Sequence, residues 1–134
     1  MDIEKTIRAL TGRGFAVRHF ATGREAADYL RAVAAAFPSQ KLRAGGHSKG
    51  GNLAVYAAAH TKADLQGRIR RVVSFDGPGV DDETAASDGY AAVASRIIAY
   101  VPQFAVVGLL MAAHPVHRVV ISDNNGIMQH DPFS

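Results

Sequence analysis

The chain has 134 residues, 48% of them hydrophobic and 20% charged, with a mean hydropathy of +0.00. These values exclude disordered, fibrous and membrane classes and leave room for one domain over residues 1–134 with a modest core. Fifteen Lys and Arg against twelve Asp and Glu give a formal +3, yet only Arg68, Arg70 and Arg71 cluster, at the entrance to an apolar run, so no nucleic-acid-binding face is expected.

The sequence contains no cysteine, which excludes a disulfide framework, a thiolate metal site and a thiol nucleophile. Asp2, Glu4, Lys5, Arg8, Arg13 and Arg18 interrupt the first twenty residues, unlike the apolar core of a secretory signal. The longest apolar stretch, Phe104 to Ala113, is well short of the roughly 20 residues of a membrane-spanning helix. A cytoplasmic protein without an integral membrane segment is the expectation.

Ile3 to Leu10 reads as a helix and Phe15 to Phe20 as strand-like, across the turn Gly12-Arg13-Gly14. Glu25 to Phe37 is an Ala- and Leu-rich helix with Thr22 near its start and Pro38 as its stop. Leu42 to Gly45 is a short strand, and Lys49 to His60 has Leu53, Tyr56, Ala57 and His60 on one helical face. The alternation continues with Arg71 to Phe75 (strand), Asp82 to Arg96 (helix, weakened by Gly89) and Ile97 to Val101 (strand, ended by Pro102). Phe104 to His114 then predicts a helix broken by Pro115, and Arg118 to Ser122 a last β-branched strand. Short apolar strands alternating with helices predict an α/β fold, a mostly parallel sheet with helices on both faces.

The first strand and the helix after it are joined by Gly46-His47-Ser48-Lys49-Gly50. A Gly-X-Ser-X-Gly pattern in this context is the mark of a nucleophile elbow: the serine occupies a sharp strand-to-helix turn, and the glycines two residues either side relieve crowding. Gly46 and Gly50 take those places, and the Lys49 N–H is the first oxyanion-hole donor. A phosphate-binding loop needs Gly-Lys-Ser/Thr at its end, whereas this lysine follows the serine.

A serine hydroxyl needs a base, usually a histidine oriented by an acid. His130 lies beyond the last predicted strand among the turn formers Asp123, Asn124, Asn125 and Gly126, where such a base belongs. His114 and His117 flank Pro115 and read as surface or capping residues; His60 closes a helix, and His47 reads as packing support. Asp76 ends a strand at Asp76-Gly77-Pro78-Gly79 and is the favoured acid, with Asp123 and Asp131 as rivals. Phe104, Val107, Leu110 and Met111 are spaced for helical core packing, with an acyl site as the other use.

Four blocks, GGHSKGGNLAVYAA, SFDGPG, IIAYVPQFAVVGLL and GIMQHDPFS, resemble in order a bacterial family labelled Mbeg-like, within the α/β-hydrolase superfamily and close to class 3 lipases. The resemblance runs from about Arg24 to Ser134. It implies a partial α/β-hydrolase fold and an esterase- or lipase-like serine hydrolase with Ser48 as nucleophile and His130 as base. Two departures stand out. Class 3 lipases carry the acid beside a Val-Pro, where this chain has Ala99-Tyr100-Val101-Pro102, so Asp76 must substitute. Lipase-like relatives also begin with further strands and a loop giving the second oxyanion donor, so the front of this chain reads as shortened.

The expected function is hydrolysis of a small-molecule or lipid carboxylic ester by Ser48, His130 and Asp76 with no metal or organic cofactor; a non-catalytic binding domain on the same fold is the alternative. An uncovered sheet edge would favour self-association into a homo-oligomer.

Overall fold

The computed structural model describes residues 3–14, 17–112 and 114–131. Helix α1 (Ile3–Thr11) is followed by α2 (Gly23–Ala36). Thr22 begins α2 with a capping box: its hydroxyl accepts from the Glu25 N–H at 3.2 Å, while the Glu25 carboxylate accepts from the Thr22 N–H at 3.3 Å, which satisfies two amides the helix leaves without partners. Of the strand expected over Phe15 to Phe20, residues 15 and 16 lie outside the described set, and 17–20 form no strand.

Strands β1 (Leu42–His47), β2 (Ile69–Phe75), β3 (Ile97–Pro102) and β4 (His117–Val120) form one sheet in that order, every neighbouring pair parallel. The α/β class and the parallel sheet are as expected. Helices α3 (Lys49–Ala59) and α4 (Ala63–Gln66) connect β1 to β2, and α5 (Asp82–Ala85) and α6 (Asp88–Ala94) connect β2 to β3. A strand order that runs in one direction sends every right-handed crossover to the same face. The core accordingly lies between the sheet and α3 and α6, where Val55, Ala58, Ile69, Val72, Val93 and Ile97 meet. The expected cover of core helices on both faces is not found among the described residues: α3 and α6 share one face. The opposite face is open at Arg43, Arg71 and Phe75, with Phe75 stacked on Tyr100 at 5.6 Å between centroids.

Polar side chains close the helix ends that this packing buries. The Gln66 amide donates to the carbonyls of Ala58, Ala59 and Gly89, tying α3 to α6. Arg68, which the basic run placed at a solvated strand entrance, donates instead to Ala34, Phe37 and Gln40 carbonyls at the C-terminus of α2, where a cation is favoured. Arg70 and Arg71 are exposed.

Two expected helices differ. Asp82 to Arg96 divides because Ser87 stops α5 and starts α6, its hydroxyl accepting from the Tyr90 N–H at 3.1 Å. Within Phe104 to His114 the described residues form a 3₁₀ turn, Val107–Leu109, and no α-helix. The backbone there is used elsewhere: the Gly108 N–H donates to Asp76, the Leu110 carbonyl accepts from Gly79, and Ala112 bridges Val80. Phe104, Leu110 and Met111 are therefore exposed and do not pack in a core.

His114 also departs from its expected surface position. It is only 3% exposed, and neither ring nitrogen has a hydrogen-bond partner among the described residues. Burial and the nearby His117 hold its pKa below the ordinary 6.5. The unfolded chain then binds the extra proton first, so stability present above about pH 6.5 falls below it, by up to about 1.4 kcal/mol per pH unit. Thermal unfolding between pH 5 and 8 should show this decline, and His114→Leu should flatten it; an unchanged slope in the variant would assign the decline to other groups.

Candidate active site

In a parallel sheet the carboxyl ends of the strands share one edge, and the residues just beyond them are the ones brought together. His47 pairs with Phe75 in register, so the next residues, Ser48 and Asp76, leave adjacent strands side by side. The ladder continues one step into both turns: Ser48 N–H donates to the Phe75 carbonyl at 3.0 Å, and Asp76 N–H to the Tyr100 carbonyl at 2.7 Å. Both residues then turn sharply, with φ of 55° at Ser48 and 46° at Asp76, conformations that cost a non-glycine residue on the order of 1–3 kcal/mol and cluster at functional sites.

Ser48 occupies the cap position of α3 but makes no side-chain cap bond. Its hydroxyl instead meets His130 Nε2 at 2.8 Å, while His130 Nδ1 meets Asp76 Oδ2 at 2.6 Å. A carboxylate only accepts, so the imidazole turns its Nδ1–H to Asp76 and its Nε2 to the serine hydroxyl. Asp76 is buried, and its second oxygen accepts from the Gly108 N–H at 3.0 Å. The acid is thus held at both oxygens. Of the carboxylates weighed from sequence, Asp76 contacts the imidazole Nδ1.

His130 ends a 3₁₀ turn, Gly126–His130, in the segment after β4. Gln129 fastens this segment, donating to the Asn124 carbonyl at 2.6 Å and accepting from the Phe104 N–H at 3.1 Å. Lys49 opens α3, so its N–H has no acceptor within the helix and is available to an oxyanion. Its ammonium reaches the Ala21 carbonyl at 3.1 Å, which sets the segment before α2 beside the elbow.

The glycines divide unevenly. A Cβ at Gly46 would come within 2.4 Å of the Gly50 backbone, and one at Gly51 within 2.5 Å of Ser74 Oγ. A Cβ at Gly50 would meet nothing within 4 Å. The crowding that the pattern assigns to Gly46 and Gly50 therefore falls on Gly46 and Gly51, because α3 packs on the sheet along the side where Gly51 meets Ser74. The sequence reading also missed Asn52, whose amide donates to the Gly79 carbonyl and ties the acid's turn to α3, and Gly108. Neither belongs to a local pattern that would have marked it.

His60 closes α3 as expected, stacking on Tyr56. His47 does more than pack: its Nε2 lies 2.7 Å from the His130 carbonyl. Among the described residues no group of three or more His, Cys, Asp or Glu is placed to hold a metal, and no helix is long and apolar enough to cross a membrane.

The fold and site define an α/β protein with a serine, histidine and aspartate in hydrogen-bonded series at the carboxyl edge of a parallel sheet. The chain belongs to the Mbeg1-like family, which it matches over residues 16–134, starting somewhat ahead of Arg24, where the resemblance read from the sequence begins. No curated protein and no solved structure matches it.

The uneven crowding sets a test of the elbow. Gly46→Ala should lower stability by about 1–3 kcal/mol through overpacking, whereas Gly50→Ala should stay within about 1 kcal/mol of the parent. Denaturant unfolding of the two variants checks this; equal losses would contradict it.

Proposed function

We propose that this protein is a serine hydrolase of the α/β-hydrolase type that cleaves a carboxylic ester. The observation that carries the reading is the series Ser48 Oγ to His130 Nε2 at 2.8 Å and His130 Nδ1 to Asp76 Oδ2 at 2.6 Å. Ser48 Oγ attacks the ester carbonyl as His130 Nε2 takes the hydroxyl proton. Asp76 keeps the imidazole in the required tautomer and stabilises the imidazolium. The Lys49 N–H, at the N-terminus of α3, donates to the oxyanion. His130 then passes its proton to the departing alkoxide, leaving an acyl-Ser48. Water, deprotonated by the same imidazole, releases the acid and restores the serine.

Apolar side chains around this edge favour an ester with an apolar portion. Phe104, Val106, Ile127 and Met128 are exposed on the two loops that meet beside His130 and Asp76, and exposed apolar residues gathered in one place mark a binding surface.

A fluorophosphonate probe tests the reading directly. The intact protein should be labelled at Ser48, and Ser48→Ala should abolish labelling. His130→Ala should slow it by at least a thousandfold, in line with the roughly 10⁴- to 10⁶-fold effects of removing triad members. Absence of labelling in the folded protein would refute the hydrolase reading and favour a non-catalytic binding domain.

A further inference from the structure

The segment that delivers His130 crosses a cavity. About 300 Å³ of open space lies beneath it on the face of the sheet opposite α3 and α6, lined by Phe75, Tyr100, Pro102, Val120 and Gln129 together with His47. Packing therefore gives this side of the segment little support. Gln129 ties it to its own turn and to Phe104, but both partners lie outside the elbow. One described hydrogen bond runs from β1 to the main chain of the histidine itself, between His47 Nε2 and the His130 carbonyl at 2.7 Å. The two rings also lie 4.7 Å apart, tilted by 36°.

From this juxtaposition we propose that His47 is a positioning residue for the proposed hydrolase reaction, holding the His130 backbone so that the imidazole spans Ser48 and Asp76. The inference rests on the hydrolase reading for its kinetic consequence but not for the contact itself. A carbonyl only accepts, so His47 carries its proton on Nε2. His47 is fixed next to the nucleophile by β1, which means that one strand end sets both the attacking oxygen and the height of the base above it.

Its charge state matters as well as its donor. The groups facing His47 are His130, Asp76 and Asp131, and burial, the largest influence, pulls its pKa below 6.5. A neutral His47 tethers His130 without opposing the positive charge that His130 acquires during reaction. A permanently charged residue at position 47 would place a cation beside a forming imidazolium, which like-charge repulsion disfavours.

Three variants separate tethering from packing. His47→Phe keeps a ring but lacks the donor, His47→Gln keeps a neutral donor, and His47→Leu lacks both. The Phe and Leu variants should lower kcat, and the rate of fluorophosphonate labelling, ten- to a hundredfold with KM within about twofold, because the base is misplaced and the binding surface is intact. His47→Gln should recover most of that loss. Parent-like labelling in His47→Phe, or equal loss in His47→Gln and His47→Phe, would overturn the proposal.

A measurement on the unaltered protein covers the case in which the apolar variants fail to fold. Ring-nitrogen magnetic resonance should show His47 as the neutral Nε2–H tautomer at pH 7.5, and the Nδ1–H tautomer would overturn the tether. If the parent is not labelled, the hydrolase reading has failed, whereas the tautomer still reports on the contact.

Discussion

The parallel register of β1 on β2 is the constraint on which the site depends. With His47 opposite Phe75, Ser48 and Asp76 begin their turns at the same level on strands roughly 4.8 Å apart. That separation leaves a gap that an imidazole bridges with both ring nitrogens. A slip of one residue would move either Ser48 or Asp76 away from the edge and reverse the faces of every side chain on the slipped strand. The apolar residues of β2 oppose such a slip, since Ile69 and Val72 are wholly buried against α3.

The two turns are also fitted to one another. A Cβ at Gly77 would lie 2.6 Å from the Ser48 carbonyl, and one at Gly79 would lie 1.8 Å from the Ala112 carbonyl. The acid's turn is therefore pressed between the elbow and the loop after β3, and Asn52 and Gly108 hold it from those two sides. Left-handed backbone at Ser48 and Asp76 is tolerated because the surrounding bonds fix it. The hydroxyl and carboxylate reach their positions without side-chain freedom remaining to be lost, which is the meaning of preorganisation in such a site.

Much of this arrangement was legible in the sequence. Ser48 was marked by its placement between a short strand and an alanine-rich helix, Asp76 by its position at a strand end, and His130 by turn formers after the last strand. All three inferences use local pattern and chain order, which parallel βαβ units convert reliably into position. The segment Phe104 to His114 was misread for the opposite reason. Its apolar spacing satisfies a helical period, yet Gly108 and Leu110 spend their backbone groups on Asp76 and Gly79, residues about thirty positions earlier. His114 was misplaced because its neighbours in sequence say nothing of the burial that tertiary packing imposes. The one-sided arrangement of core helices follows from strand order, and composition carries no trace of strand order.

The chain separations at the site are unequal, and this bears on how it assembles. Ser48 and Asp76 are joined through one βαβ unit whose contacts are local and mutually supporting, whereas 82 positions separate Ser48 from His130. Contacts that close so long a loop bear a larger entropic penalty and are expected late in folding. Ser48 and Asp76 then belong to the earliest cooperative unit, and His130 to the last. Opening that last unit alone would part His130 from Ser48 and Asp76 while the core stayed closed, so amide exchange at Gln129 and His130 can be much faster than at Val72 without any loss of global stability.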